Sequence, residues 1–502
     1  MEVAIPVSTR ARWSRKVGLG ALSVLGAFGF ALLVAYRPFI ATGLCVGLVF
    51  LWCLVRRLEW AALGLFLLVP LGRLTWLDPV GALDITKLTA FTLGLIWFAR
   101  CLIRRDRALI AVWTENPVCV FILLFSLAML ISLLGVHDFL RSFASLIRLV
   151  SLCALLTLVV AMVRSKHDVK IALALLLVSG LVSCLIGLWE ARTHQYFWMR
   201  MGQQRVMPTQ LSVIRGSLAE ATVVGTQDPL LASSLRVMST FGDFNFMGGY
   251  MAVLLGVIAG CFLACRRWYV RAPLLGMTVL VLYDLAKTGS RGGLIGVAVT
   301  AVLVLLLSQI RARWFIFAGL VIAVLALFPV VSEIAPQYRG GISLKHFEHD
   351  QRYGYWQMAL HMMADHPLVG VGVDNFVSLY SLYRVSPALM YTFYCHNIYL
   401  QMGAEAGILG LLTILGVMGS AALSFLVALR RTRDESWRSL LVGLLAAFGG
   451  YAVFSASCNT LHDQSLWLLL ALSAITLRAT RAEEPMPAPH GLAPGPAAGV
   501  AR

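Results

Sequence analysis

Apolar runs long enough to cross a bilayer follow one another along most of the chain, and that succession constrains the fold more than any motif. They fall at 17–35, 38–55, 60–77, 84–103, 117–135, 143–162, 169–189, 243–264, 272–287, 292–309, 314–332, 405–429, 439–457 and 465–478. About 20 apolar residues at a helical rise of ~1.5 Å match a hydrocarbon layer of ~30 Å. Helices also satisfy their own backbone groups there. The third run is interrupted by Pro70 and Arg73, and the last is short. The sequence therefore predicts an all-α, polytopic integral membrane protein with roughly 12–14 transmembrane helices. Only 13% of the 502 residues are charged and 59% are hydrophobic, a balance that soluble domains do not carry.

The formal charge of +17 raises the question of nucleic acid. The basic residues, however, form short clusters between apolar runs, as the positive-inside rule produces, and no nucleic-acid partner is expected. With the N-terminus inside, the clusters at 56–60, 100–107, 164–170, 266–271, 311–313 and 430–438 all fall on the cytoplasmic side. Both termini are then cytoplasmic, and the two long hydrophilic stretches, 190–242 and 333–396, face out. The expected organisation is an N-terminal transmembrane bundle over 1–189, a loop over 190–242 and spans over 243–332. A large loop containing short helices follows over 333–396, then spans over 397–480 and a disordered tail over 481–502. The basic N-terminal arm precedes a long apolar run without a small-residue cleavage site, and reads as a retained first span. The ten cysteines form no CxxC pair, and most lie within apolar runs as small hydrophobes.

Three outward-facing stretches combine charge or histidine with glycines at a helix entrance. LRVMSTFGDFNFMGGYM at 235–251 places Arg236 before a span. KTGSRGG at 287–293 is a tight turn with Arg291 at its tip. Ser290 is positioned to cap the next helix, and Gly292 and Gly293 would leave bare N–H groups at its first turn. A guanidinium beside a helix N-terminus makes a two-part anion site. The third stretch runs DHPLVGVGVDNF at 365–376 and YCHNIYLQMGAEAGILG at 394–410, where Asn397 reads as an N-cap and His396 sits just outside it. Each has a bland reading: a headgroup anchor for Arg236, a packing turn for TGSRGG, a capping or packing role for His396. Their coincidence on one face of the membrane favours a site.

Other features are weaker. HFEHD at 346–350, with His361 and His366, fits no strong metal motif, and no metal is expected. Arg352 and Trp356 read as helix residues facing the site or the loop core. Arg148, Asp284 and Glu405 are charges in or near the membrane, expensive unless paired. Glu405 is placed either to neutralise an arginine or to make a structural polar contact between helices, and Asp284 to pair with Lys287. Cys395 and Cys458 both fall on the outer side, where a disulfide would tie the His396 turn to the last outer loop.

TGSRGG, HPLVGVGVDNF and HNIYLQMGAEAGILGLL, in this order and spacing, resemble the O-antigen ligase and Wzy-type polymerase superfamily, and STFGDFNFMGGYM resembles the segment that precedes them there. The likeness is close over about 235–430 and elsewhere rests on runs of similar length. It implies a GT-C-like membrane glycosyltransferase of the bacterial inner membrane, needing no metal or cofactor. Such an enzyme moves a glycan from undecaprenyl diphosphate to an acceptor hydroxyl, on a glycan or on lipid A-core, at the periplasmic face. By position, the resemblance assigns Arg236 and Arg291 to the diphosphate and His396 to the base. Arg215 and Arg205 lie in the same loop as Arg236. A reading from another class, a transporter or flippase of lipid-linked glycans, would need charges spread along a membrane-spanning path, for which Arg148 and Glu405 are candidates.

Overall fold

The computed structural model describes residues 57–71, 85–106, 108–197, 236–308 and 351–481. The runs at 17–35, 38–55 and 314–332 lie outside them, as do Arg205, Arg215, His346, His349 and the tail from 482. Helices follow in chain order: α1 (Leu58–Leu68), α2 (Ile85–Arg104), α3 (Ala108–Thr114), α4 (Pro117–Ile131), α5 (Phe139–Met162), α6 (Lys166–Thr193), α7 (Phe244–Ala264), α8 (Trp268–Thr288) and α9 (Arg291–Leu307). Then come α10 (Gln351–Asp365), α11 (Tyr380–Tyr383), α12 (Ile398–Arg431), α13 (Glu435–Phe454) and α14 (Gln464–Arg481). The described residues contain no strand, and eight of their helices are long and apolar enough to span a membrane. The protein is an all-α, multi-pass membrane protein.

By its contacts the chain divides after Ala61, and the helices from Ala62 onward belong to one compact unit. Many apolar side chains of this unit point away from the protein: Leu130 is 54% exposed, Val279 68% and Leu423 61%. That outward apolar surface is the inverse of a soluble domain and suits lipid. Helix-to-helix contact depends instead on small residues that let backbones approach. Gly256 and Gly260 of α7 meet Gly443 of α13, and Gly296 of α9 meets the Gly450 carbonyl of α13.

Two helices carry caps legible in sequence. The Asn397 side chain accepts from the Tyr399 and Leu400 amides, and Ser290 accepts from Gly293. Sequence reading did not foresee that α12 is broken. Ala406 (φ −128°, ψ 16°) and Gly407 (φ 64°, ψ −158°) leave the helical region, so a two-turn piece, 398–405, precedes the long span. The break orphans backbone groups, and the 366–372 loop takes them up. Val371 donates to the Ala404 carbonyl at 2.9 Å, Gly372 to Glu405 at 3.0 Å, and Ile408 donates to Pro367 at 2.8 Å. A Cβ on Gly407 would sit 2.5 Å from the Leu368 carbonyl carbon, and one on Gly370 2.3 Å from that of Glu405.

The same loop is latched to α5. Asn375 Oδ1 accepts from the His137 and Asp138 amides, and its Nδ2 donates to Ser142 Oγ at 2.7 Å and to the Val373 carbonyl at 2.9 Å. Arg148 of α5 pairs with Asp374 at 3.0 Å. Beneath the loop lies a small core of Tyr355, Met358, Ala359 and Met362 from α10, with Val371, Phe376, Tyr380, Leu389, Cys395 and Ala404. The α10 members fall at helical spacing, which is why this short helix lies flat on the loop.

These close approaches set a stability test. Gly407→Ala would force a side chain into a backbone region nearly reserved for glycine, at a cost of about 1–3 kcal/mol before the overlap with Leu368 is counted. Gly276 of α8 has nothing within 4 Å of an added Cβ. Thermal unfolding in detergent should show a lower midpoint for Gly407→Ala and an unchanged or raised one for Gly276→Ala.

Candidate active site

The α8–α9 turn, the α13–α14 link and the start of α12 converge at one end of the helix bundle. Arg236 lies against the turn that carries Arg291. Its Nε donates to the Thr288 carbonyl at 2.7 Å and its Nη2 to that of Gly289 at 2.9 Å, while its guanidinium sits 3.2 Å above the Phe244 ring. Those carbonyls end α8, so the cation also caps that helix and complements its dipole. Arg291 is exposed, on the first residue of α9. Gly292 and Gly293 are buried, and the Gly293 amide, expected to be bare, donates to Ser290 Oγ at 3.1 Å. The glycines serve packing: a Cβ on Gly292 would strike Ser457, and one on Gly293 would come 2.8 Å from Gly248.

Ser457 belongs to the 455–463 link between α13 and α14, and this link joins the SRGG turn to the histidine. The Ile398 amide, two residues beyond His396, donates to the Ser455 carbonyl at 3.0 Å. His396 has φ +56°, a left-handed conformation rare outside glycine that persists only where the surroundings impose it. A buried relay holds the turn before it. Cys395 N–H donates to Gln401 Oε1 at 2.7 Å, Gln401 Nε2 donates to Glu405 Oε1 at 2.6 Å, and the Phe376 amide donates to the same oxygen at 3.3 Å. Glu405 therefore serves the loop and not an arginine. It joins no ion pair among the described residues, so of its two readings the structural polar contact is the one seen.

The His396 ring stacks on Tyr355 at 5.9 Å and meets Tyr394 edge-on at 4.7 Å, and its Nδ1 is buried without a hydrogen-bond partner among the described residues. Burial first, and the positive Arg352 second, push its pKa down to about 3. Neutrality is what the surroundings impose, with desolvation as the larger cause.

Three further expectations change. Asp284 does not pair with Lys287; its carboxylate lies against Gly187 and beside the Cys184 thiol. Cys395 and Cys458 are not joined in a disulfide, and Cys395 Sγ donates into its own turn, to the Asn397 carbonyl at 3.2 Å. Arg148, read as an unassigned intramembrane charge, is the partner of Asp374. His361 and His366 join no group of three or more potential ligands among the described residues. Sequence reasoning missed Asn375 and Asp374 as anchors, although both stand in the VGVDNF motif. It also missed His462, whose Nε2 lies 3.1 Å from Ser145 Oγ of α5.

Residues 276–415 match the family model described as O-antigen ligase. The chain carries an O-antigen ligase domain. The match runs from within α8 through the SRGG turn, α10 and the 366–379 loop into α12, so it contains Arg291, Arg352, His396 and Glu405 and leaves Arg236 outside. No curated protein matches the chain. The O-antigen ligase domain makes this a membrane protein of the glycan-transferring ligase or polymerase kind, with lipid-linked glycan and acceptor substrates.

The ion pair that fixes the domain's central loop can be weighed directly. The side chains of Arg148 and Asp374 are 20% and 28% exposed, so water screens the pair only in part. A double-mutant cycle with Arg148→Gln and Asp374→Asn, read as thermal stability in detergent, should give a coupling of about 1–2 kcal/mol, above the range for surface pairs.

Proposed function

We propose that this protein transfers a glycan from undecaprenyl diphosphate to an acceptor hydroxyl at the periplasmic face of the inner membrane, as a surface-polysaccharide ligase or polymerase. The observation that carries the reading is His396: a neutral imidazole in an imposed left-handed turn, linked through Ser455 and Ser457 to the turn that carries Arg291 and against which Arg236 packs. His396 takes the proton of the acceptor hydroxyl as its oxygen attacks the anomeric carbon. The bond from that carbon to the diphosphate oxygen breaks, and the electron pair leaves with undecaprenyl diphosphate. Direct attack inverts the anomeric centre. A diphosphate is already a good leaving group, so it needs charge neutralisation more than a proton. Arg291 and Arg236 supply positive charge beside the N-terminus of α9. Ser290 and Asn397 hold the two helix entrances, Gly292 and Gly293 keep the turn close to its neighbours, Arg352 keeps the base neutral, and Glu405 fixes the loop. Neither metal nor cofactor has a part in these steps.

The transporter reading gains nothing from the two charges it needed. Arg148 pairs with Asp374, and Glu405 accepts from Gln401 and from the Phe376 amide.

The decisive assay supplies the purified protein in nanodiscs with an undecaprenyl-diphosphate-linked glycan and measures released undecaprenyl diphosphate. Core lipid, a second lipid-linked repeat and a protein are offered in turn as acceptors. Release that depends on one acceptor identifies the reaction; no release with any of them sinks the proposal. His396→Ala should lower turnover by about 10²–10⁴-fold, the scale of a lost general base. The pH profile carries a sign. With a free-protein pKa of about 3, the base stays neutral on mild acidification, so kcat/KM should hold level from pH 8 to roughly pH 5. An unperturbed histidine would already fail near pH 6.5. Arg352→Gln removes a charge that lowers this pKa, so the acid limb should move to higher pH.

A further inference from the structure

A second concave feature lies beside the 377–391 segment and belongs to neither the arginine turn nor the histidine itself. It is a groove of about 610 Å³ where the start of α5 faces α11, with Asp138, Phe139, Arg141, Ser378, Ser381 and Tyr391 in its wall. Its chemistry is unusual for a membrane-protein surface. Phe139, which stacks on Phe143 at 6.1 Å, is 59% exposed and Tyr391 51%, so each ring stays about half open to solvent. Between them stand two exposed serine hydroxyls and the Asp138–Arg141 ion pair at 3.1 Å, both of whose side chains remain open to water. A lipid chain would meet hydroxyls and charges here. A polyanion would meet a carboxylate beside the guanidinium, cancelling its attraction. A polyhydroxylated ring suits every part, with its apolar C–H face on an aromatic ring and its hydroxyls on serine, carboxylate and guanidinium.

A run of aromatic contacts leads from the groove toward the histidine. Tyr391 meets Tyr380 at 5.1 Å and Phe393 at 5.5 Å, the Arg141 guanidinium lies 5.9 Å from the Phe393 ring, and Tyr394 packs on His396. His396 is five positions along the chain from Tyr391, a reach of at most about 18 Å even when fully extended. A single oligosaccharide can therefore occupy the groove while one end of it lies near the imidazole.

We propose that this groove is a glycan-binding subsite that holds the sugar chain of a substrate while its terminal unit reacts at His396. The assignment rests on the transferase reading above. The glycan comes from the lipid-linked donor or from the acceptor, and the test has an arm for each.

The test uses the full-length protein in detergent micelles and saturation-transfer NMR, with two probes. The first is the oligosaccharide released by mild acid from the producing cell's lipid-linked glycans. The second is the delipidated core oligosaccharide of its lipopolysaccharide. Transfer to the first assigns the groove to the donor, and transfer to the second to the acceptor. Ser381→Trp fills the groove and Tyr391→Ala removes one face. Both positions are exposed, so the fold should survive, and an unchanged thermal midpoint checks this. Either variant should weaken binding about tenfold, the scale of one lost aromatic face. No transfer to the unmodified protein from either probe, or transfer that both variants leave unchanged, overturns the subsite. If binding behaves as expected while the same preparation releases no undecaprenyl diphosphate, the groove stands and the transferase reading alone fails.

Discussion

The break in α12 is the constraint on which the rest depends. A helix interrupted near the membrane boundary leaves amides and carbonyls that lipid cannot satisfy, each at a cost of several kcal/mol. Here Val371, Gly372 and Pro367 supply the missing partners through main-chain groups alone. Main-chain pairing fixes both position and direction, so the loop cannot slide without losing all three bonds together. The two-turn piece that follows His396 is thereby held to the loop that precedes it. Gln401 and Glu405 extend that hold by side chains to Cys395 and Phe376. The left-handed turn at His396 is one product of this arrangement. Its conformational strain, of order 1–3 kcal/mol, is smaller than the cost of undoing the interlock.

The two arginines are not equivalent. Arg236 has committed Nε and Nη2 to the end of α8 and rests on Phe244. That leaves its charge available to an anion but removes much of the planar fork that gives arginine its bidentate geometry. Arg291 is the exposed member, on a helix start whose dipole also favours negative charge. In the proposed reaction, Arg291 grips the departing diphosphate, and Arg236 sets the turn while adding to the local potential. The packing glycines support the same division. Because Gly292 and Gly293 are pressed against Ser457 and Gly248, the backbone of the turn is positioned by its neighbours and not by the ligand.

Much of this was legible in the chain. Apolar runs placed every span among the described residues to within a few positions, because helix length and bilayer thickness are matched quantities. Asn397 and Ser290 were readable as caps, since the side chain that accepts is local to the amides it serves. What sequence could not give is whatever depends on two segments far apart in the chain. Arg148 and Asp374 are separated by 226 residues, and Asn375 serves amides of the link before α5. The break at Ala406–Gly407 was hidden for a related reason. The AEAGILG stretch reads as continuous helix unless the loop that takes its orphaned groups is already in place. Glu405 stayed between two readings for the same cause: whether a buried carboxylate meets an arginine or N–H groups depends on the loop, and here two N–H donors occupy it.

The low pKa of His396 raises a chemical difficulty that the site itself resolves. A base whose conjugate acid has a pKa of about 3 is dependably neutral, yet it holds a proton poorly. Desolvation is the chief cause, and desolvation penalises any unbalanced charge. A bound diphosphate changes that balance, since an anion nearby stabilises imidazolium by the same Coulomb law through which Arg352 destabilises it. In the proposed reaction the negative charge also increases on the leaving oxygens as the anomeric bond breaks, so the histidine would become more basic as the reaction proceeds. Affinity for the proton and departure of the diphosphate are thus coupled. The burial that makes His396 a weak base in the empty protein also makes its basicity responsive to the leaving group.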